Sequence, residues 1–289
     1  MVMRLERPDY EDVGLIDTVV EERQKGVNRA YFTKVGPLWK RRVRNYIENG
    51  GNPEVIQPWG QVADDAIKTR FLTLYGNPAD DSVQKPILDH LRERTLQLCP
   101  ACGEDGTPNT LDHYLPKNSY PEFAITTVNL FPMCDICQGW KGEKTVNDAG
   151  ERLFLHPYFD AFLAQQAVSL EIGGPYNAPR TISLGAHPDL DPALQLLVAR
   201  HLQELGMDGR YYHFFREQYI RLLGSASDIR EDGLNMQQQI GLFRRTARRK
   251  AINSWGHIFY DAVLRNEELL EYLETGDLLV SDAWLQEAQ

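Results

Sequence analysis

The sequence predicts a mainly α protein with a small α+β centre. Three observations carry that prediction. Apolar residues recur at helical spacing over most of the chain outside residues 95–160. The middle stretch instead holds short strand-like runs broken by prolines. All four cysteines, Cys99, Cys102, Cys134 and Cys137, fall within that stretch.

Taken in order, residues 1–94 read as a helical N-terminal region. Pro37 predicts a helix start, with Trp39, Val43, Tyr46 and Ile47 at i, i+4, i+7 and i+8 and Gly50 as the stop. Residues 61–75 and 85–98 repeat the amphipathic pattern. Residues 95–160 form the α+β centre, and residues 161–289 read as a helical C-terminal lobe. Within the lobe, Val168–Ile172 and Thr181–Leu184 predict a short hairpin around Gly173-Gly174-Pro175. Caps and apolar stripes then predict helices over 191–205, 209–223, 228–250 and 254–273.

The composition sets bounds on function. With 289 residues, the chain has room for about two domains. At 42% hydrophobic and 25% charged residues, disordered and low-complexity classes are excluded. No apolar run reaches the ~18–20 residues of a membrane span. The opening residues have no apolar core followed by a small-residue cleavage site, so a cytoplasmic protein without a membrane partner is expected. A formal net charge of −10 argues against a uniformly cationic nucleic-acid coat and leaves room for a local basic groove.

The cysteines form two C-x-x-C pairs. In a reducing compartment such pairs read as four thiolate ligands of a structural Zn²⁺. The pairs are 31 residues apart, wider than the ~15–20 of a compact zinc ribbon, so the metal is expected to clamp the ends of a longer loop. The competing reading is a redox C-x-x-C, which usually comes singly and beside a βαβ pattern not found here.

Between and after the pairs run Thr110-Leu111-Asp112-His113-Tyr114-Leu115-Pro116-Lys117, then Val128-Asn129-Leu130-Phe131-Pro132-Met133-Cys134-Asp135-Ile136-Cys137-Gln138-Gly139-Trp140-Lys141-Gly142-Glu143-Lys144. In this order and framing, the stretch resembles the HNH endonuclease family over roughly residues 95–160. Leu155-His156-Pro157-Tyr158-Phe159-Asp160 looks like a segment that often follows the motif in stand-alone bacterial members.

The resemblance implies a ββα-metal core that hydrolyses DNA phosphodiester bonds. Asp112 and His113 would end a first strand, a second strand would cover Asn129–Met133, and a helix would begin near Cys137. The chemistry agrees with residue type. A histidine can serve as general base near neutral pH, and a divalent cation can stabilise developing charge and the leaving oxygen. By the resemblance, His113 is the base, Asp112 a ligand of a catalytic Mg²⁺ or Mn²⁺, and Asn129 the brace of the intervening loop. Read as a residue alone, Asn129 is a turn former. The third motif position is Gln138, where the family usually has Asn or His. Its carbonyl oxygen can bind a hard cation directly or through water, but the extra methylene also fits a crippled site. His156 reads as a packed or capping residue, or as a neighbour of the site, and Glu122 as a surface carboxylate or a water-mediated ligand.

Lys117, Lys141 and Lys144 are candidate phosphate contacts, against ordinary solvated lysines. Two basic clusters lie outside the centre. Lys40, Arg41, Arg42 and Arg44 are expected on the solvent side of their helix. Arg244, Arg245, Arg248, Arg249 and Lys250 form a stripe in a stretch, Gly233 to Tyr260, with no Asp or Glu. Each stripe reads as a DNA contact or as a solvated or partner-facing surface. DNA is the expected partner. A double-strand cut requires two copies of the chain or repositioning, so a homo-oligomer is a further expectation. The resemblance to stand-alone effectors of anti-phage modules, Septu-like ones included, implies an ATPase or sensor partner. The competing function is a zinc-stabilised module that binds nucleic acid or protein and cuts nothing.

Overall fold

The computed structural model describes residues 2–23 and 28–279. Residues 24–27 of the predicted N-terminal region and 280–289 of the C-terminal lobe lie outside the described residues. Among the described residues the chain is mainly α with two small antiparallel sheets, and it divides into two compact units.

One unit comprises Arg4–Ala101 and Gly106–Ala161. Helix α1 (Asp12–Glu22) starts where the Glu11 carboxylate accepts hydrogen bonds from Val13 N and Gly14 N. Helix α2 (Arg29–Glu48) buries Phe32, Val35, Trp39, Val43 and Tyr46 along one stripe. Pro37 lies inside this helix and does not open it, contrary to the sequence expectation. The apolar stripe already begins at Phe32, and its packing outweighs the ~3 kcal/mol an internal proline costs. Trp39 meets Phe71 of α3 (Asp65–Gly76) edge-on at 5.0 Å between ring centroids, and Phe32 meets the same ring at 5.6 Å. Helix α4 (Gln84–Glu93) buries Leu88 and Leu91, and ends before the predicted residue 98 because Arg94 turns to extended backbone.

Strands β1 (Thr110–His113) and β2 (Leu130–Met133) pair antiparallel, with Asp112 opposite Phe131 and His113 opposite Leu130. The chain between them is largely buried and makes two 3-10 turns, Pro121–Phe123 and Thr127–Asn129. Helix α5 (Asp135–Lys141) starts before Cys137, because the Cys134 side chain is its N-cap and accepts from Cys137 N at 3.4 Å.

The other unit comprises Met1–Met3, Cys102–Asp105 and Phe162–Gln289. Strands β3 (Val168–Ile172) and β4 (Ile182–Ala186) form the second hairpin, with Leu170 opposite Leu184. Among the described residues, five helices follow. Helix α6 (Pro192–Glu204) opens on proline, and α7 (Met207–Glu231) outruns its predicted end because its buried stripe continues through Leu222, Ala226 and Ile229. The predicted 228–250 helix is interrupted at Gly233, whose φ of 66° is left-handed, so α8 (Met236–Arg248) starts afresh with Asn235 as cap. The predicted 254–273 helix is likewise two, α9 (Trp255–Arg265) and α10 (Glu267–Thr275). They divide at Asn266, whose side chain accepts from Leu269 N. Trp255 anchors the 102–105 segment in this unit, donating from Nε1 to Cys102 O at 2.6 Å. Among the described residues, no helix is long and apolar enough to cross a membrane.

Candidate active site and metal centre

The four cysteines come together. One sulfur from each of Cys99, Cys102, Cys134 and Cys137 lies within 4.8 Å of the others. Tetrahedral zinc, with Zn–S bonds of about 2.3 Å, needs sulfurs roughly 3.8 Å apart, so the donor set fits a soft four-thiolate metal in number, type and spacing. Two backbone amides already point at sulfur: Cys134 N at 3.3 Å from Cys99 Sγ, and Cys137 N at 3.4 Å from Cys134 Sγ. Arg210 Nη2 stands 3.5 Å from Cys102 Sγ and also pairs with Glu104, an outer contact that would offset the charge of a thiolate bound to metal. Among the described residues, no second cluster of three or more His, Cys, Asp or Glu ligands accompanies it.

Asp112 and His113 are the last two residues of β1. Asp112 is reached from α5 by two side chains one turn apart. Gln138 Nε2 is 3.2 Å from Oδ1, and the ammonium of Lys141 is 3.0 Å from Oδ2. Lys141 also donates to His113 O at 2.7 Å and is 2% exposed. It is therefore neither a solvated lysine nor a freely reaching phosphate contact. Asp112 Oδ2 has no hydrogen bond, the Lys141 contact being an ion pair without hydrogen-bond angles. A cavity of about 230 Å³ opens on these groups, lined by Asp112, His113, Lys117, Gln138 and Lys141 among others.

His113 is buried. Its Nε2 lies 3.0 Å from Ala124 O, which places the ring hydrogen on Nε2 and leaves the lone pair on Nδ1. Burial pushes its pKa down to about 3, against the raising effect of the Ala124 carbonyl and with smaller lowering contributions from Lys117 and Lys141, so the ring is neutral at physiological pH. The Tyr75 ring packs edge-on against the imidazole at 4.5 Å.

Asn129 is fully buried, and its side chain spans the loop between the strands. Oδ1 accepts from Leu115 N at 2.8 Å and from Tyr46 Oη at 2.9 Å, while Nδ2 donates to Leu115 O at 3.1 Å and Phe123 O at 3.2 Å. Phe123 precedes Ala124, so the amide that fixes one carbonyl sits next to the carbonyl that orients His113. Behind it, His156 Nδ1 accepts from Tyr158 N at 3.2 Å, which assigns the hydrogen to Nε2, 3.1 Å from Tyr46 Oη. The order is therefore His156 to Tyr46 to Asn129, each donating to the next. Sequence reasoning placed Tyr46 in an apolar stripe and missed this link. The tyrosine hydroxyl at a core position, with a histidine elsewhere in need of a partner, is the signal that was available.

Other predicted residues are placed differently. Glu122 is neither exposed nor near Asp112 in bonding. It is fully buried and pairs with Arg42 at 2.6 Å, and burial holds its carboxyl above the usual range. Arg42 is thereby turned inward and Lys40 pairs with Asp17, so the 40–44 cluster does not present a uniform solvent face. Lys117 stands over the Tyr75 ring at 5.9 Å, and Lys144 is exposed. In the C-terminal stripe, Arg244 pairs with Asp261 and Lys250 with Asp105, while Arg245, Arg248 and Arg249 are exposed on α8 and just beyond it.

No family model matches the sequence, and no solved structure matches it. Among curated proteins, the chain is similar to Protein ea31 of Escherichia phage lambda, 33% identical over 109 residues. The similarity covers 36% of this chain and 36% of the phage protein's length.

Proposed function

We propose that this chain is an HNH-type endonuclease that hydrolyses DNA phosphodiester bonds, with a ββα core formed by β1, β2 and α5. The observation that carries the reading is the convergence of Asp112, His113 and Gln138 on one cavity, in a segment whose ends are gathered by four cysteines. The biological role, effector of an anti-phage module with an ATPase or sensor partner, follows from the resemblance in sequence.

A divalent cation suits Asp112 in chemistry, since Oδ2 is a buried carboxylate oxygen without a hydrogen bond at a polar cavity. Asp112 would hold it, with Gln138 offering its amide oxygen once the terminal amide turns over. Such a cation supplies charge stabilisation at the scissile phosphate. His113 Nδ1 takes a proton from the attacking water as its oxygen bonds to phosphorus and the P–O3′ bond breaks, and the departing oxygen takes a proton from solvent, leaving 5′-phosphate and 3′-hydroxyl ends. Ala124 O keeps the ring in the tautomer that leaves Nδ1 free, and the bound phosphate's negative charge raises the depressed basicity of the ring. Asn129 holds the loop that presents Ala124 O. Lys117 is the lysine best placed to meet a phosphate oxygen at the cavity rim.

The test compares zinc-loaded wild type with His113→Ala on supercoiled plasmid with Mg²⁺ or Mn²⁺. Nicking by the wild type and a loss of at least ~100-fold in the variant is the expected result; equal cutting by both removes His113 from the reaction.

One arrangement favours a second reading, a zinc-stabilised binding module. Both Asp112 oxygens already face donors from α5, and His113 is deeply buried. In that case the wild type binds DNA without nicking it in either metal.

A further inference from the structure

The ion pair between Asp112 and Lys141 bears on how the site takes up a cation. Lys141 is the last residue of α5, and its side chain is one of the largest fully buried in the protein. A buried ammonium without compensation is costly, and here two groups compensate it: Asp112 Oδ2 at 3.0 Å and His113 O at 2.7 Å. Both partners belong to consecutive residues of β1, so α5 and β1 hold the ammonium in a fixed position. The carboxylate oxygen that carries no hydrogen bond, and whose lone pairs are thus not committed to one, is the buried oxygen the ammonium faces.

We propose that Lys141 is the resident counter-cation of this site and competes with a divalent ion for Asp112. The inference rests on Asp112 as the cation ligand in the nuclease reading and adds a control on that ligand. With the ammonium in place the pair is neutral, and a divalent ion entering at Oδ2 meets a positive charge across a short, poorly solvated gap. The protein alone therefore binds the ion weakly. A phosphate group in the cavity changes the balance, because it offers Lys141 an alternative anion and brings further oxygen ligands for a metal that usually relies on substrate phosphates. Cation and phosphate then enter cooperatively, each raising the other's affinity by the same factor.

The experiment measures Mn²⁺ binding by electron paramagnetic resonance to the full-length, zinc-loaded protein, with zinc content and thermal melting recorded for each variant. Lys141→Gln keeps a donor for His113 O, and Lys141→Met keeps the length and loses both polar contacts, so folding defects in one do not remove the other. The expected result is Mn²⁺ affinity in Lys141→Gln at least about tenfold above wild type, within the range of ordinary site-to-site coupling. The gain is lost when Asp112→Asn is added. Inorganic phosphate raises Mn²⁺ affinity in the wild type and has less effect in Lys141→Gln. Unchanged or weaker binding in both Lys141 variants at full zinc content overturns the proposal, as does wild-type Mn²⁺ binding that survives Asp112→Asn. Because the readout is binding, the two ideas fail separately. A protein that nicks plasmid but shows no gain on Lys141 replacement loses the counter-cation and keeps the nuclease. An inactive protein that shows the gain does the reverse.

Discussion

The hydroxyl of Tyr46 donates to Asn129 Oδ1 at 2.9 Å across 83 positions of sequence, and by doing so joins the long helix α2 to the loop whose Ala124 carbonyl meets the candidate base. Tyr46→Phe removes one atom and leaves two buried polar groups short, the Nε2 hydrogen of His156 and a lone pair of Asn129. Such orphaned groups cost about 1–3 kcal/mol. Urea unfolding should show the variant less stable by that amount at unchanged zinc content; an unaltered midpoint means water satisfies both groups and the chain of hydrogen bonds is not structural.

Asp12 gives a pH signature. Its carboxylate accepts from Thr127 N at 2.6 Å and Thr127 Oγ1 at 3.1 Å, yet burial pushes its pKa up to about 6 from 3.8. The folded state thus holds this proton more tightly than the unfolded state. Stability from Asp12 is fully present below pH 3.8 and is lost as pH rises to about 6. The shift corresponds to roughly 3 kcal/mol. Asp12→Asn keeps an oxygen for Thr127 N and cannot ionise. The stability difference between variant and wild type should therefore grow in the variant's favour between pH 4 and 7, by up to about that amount. A pH-independent difference in denaturant midpoints counts against the assignment.

His156 titrates with the opposite consequence. Burial holds its imidazole neutral, with a pKa well below 6.5, and Arg152 and Arg7 lower it further. The unfolded chain binds the proton first, so stability is intact above pH 6.5 and falls as the pH drops below it. His156→Gln should lessen that acid sensitivity while costing stability at pH 7.5. Parallel pH–stability curves for the two proteins would place the acid sensitivity elsewhere.

Zinc content follows from the cysteine cluster. The protein should contain one zinc per chain, and Cys134→Ser should lose it although the serine hydroxyl can still cap α5. Elemental analysis and far-ultraviolet circular dichroism with a chelator check both; a Cys134→Ser protein with full zinc shows that the cluster is not the ligand set.

The basic stripe separates by pairing. Arg245, Arg248 and Arg249 are exposed, so replacing all three with alanine should lower the slope of log affinity against log salt for duplex DNA by about 2–3. Arg244→Ala should act mainly on stability, because Arg244 compensates the largely buried Asp261. An unchanged slope in the triple variant moves DNA binding off α8.

The helical character, the second hairpin and the gathering of the cysteines were legible in the sequence, because periodicity and C-x-x-C spacing are local signals. Helix breaks were less so. Gly233 and Asn266 interrupt continuous apolar stripes, and neither residue type is decisive inside a long pattern. Pro37 misled for the opposite reason, since packing of a buried stripe overrode a strong local signal. In the site, Asp112, His113 and Gln138 were readable from motif order. The partners that set their properties were not. Ala124 O beside His113 and Tyr46 beside Asn129 depend on how the loop folds back, which no spacing encodes.

Helix α5 has seven residues, too few to persist by itself, and its cap is a cysteine sulfur. During synthesis, Asp112 and His113 leave the ribosome well before Cys134 and Cys137. Until the second cysteine pair emerges and is captured, no helix exists to bring Gln138 and Lys141 to the carboxylate. A nascent chain on this account lacks the assembled cavity, which forms in one late event. A reducing, zinc-replete translation reaction would complete it, while one starved of zinc would release full-length chains that have every residue of the site and no site.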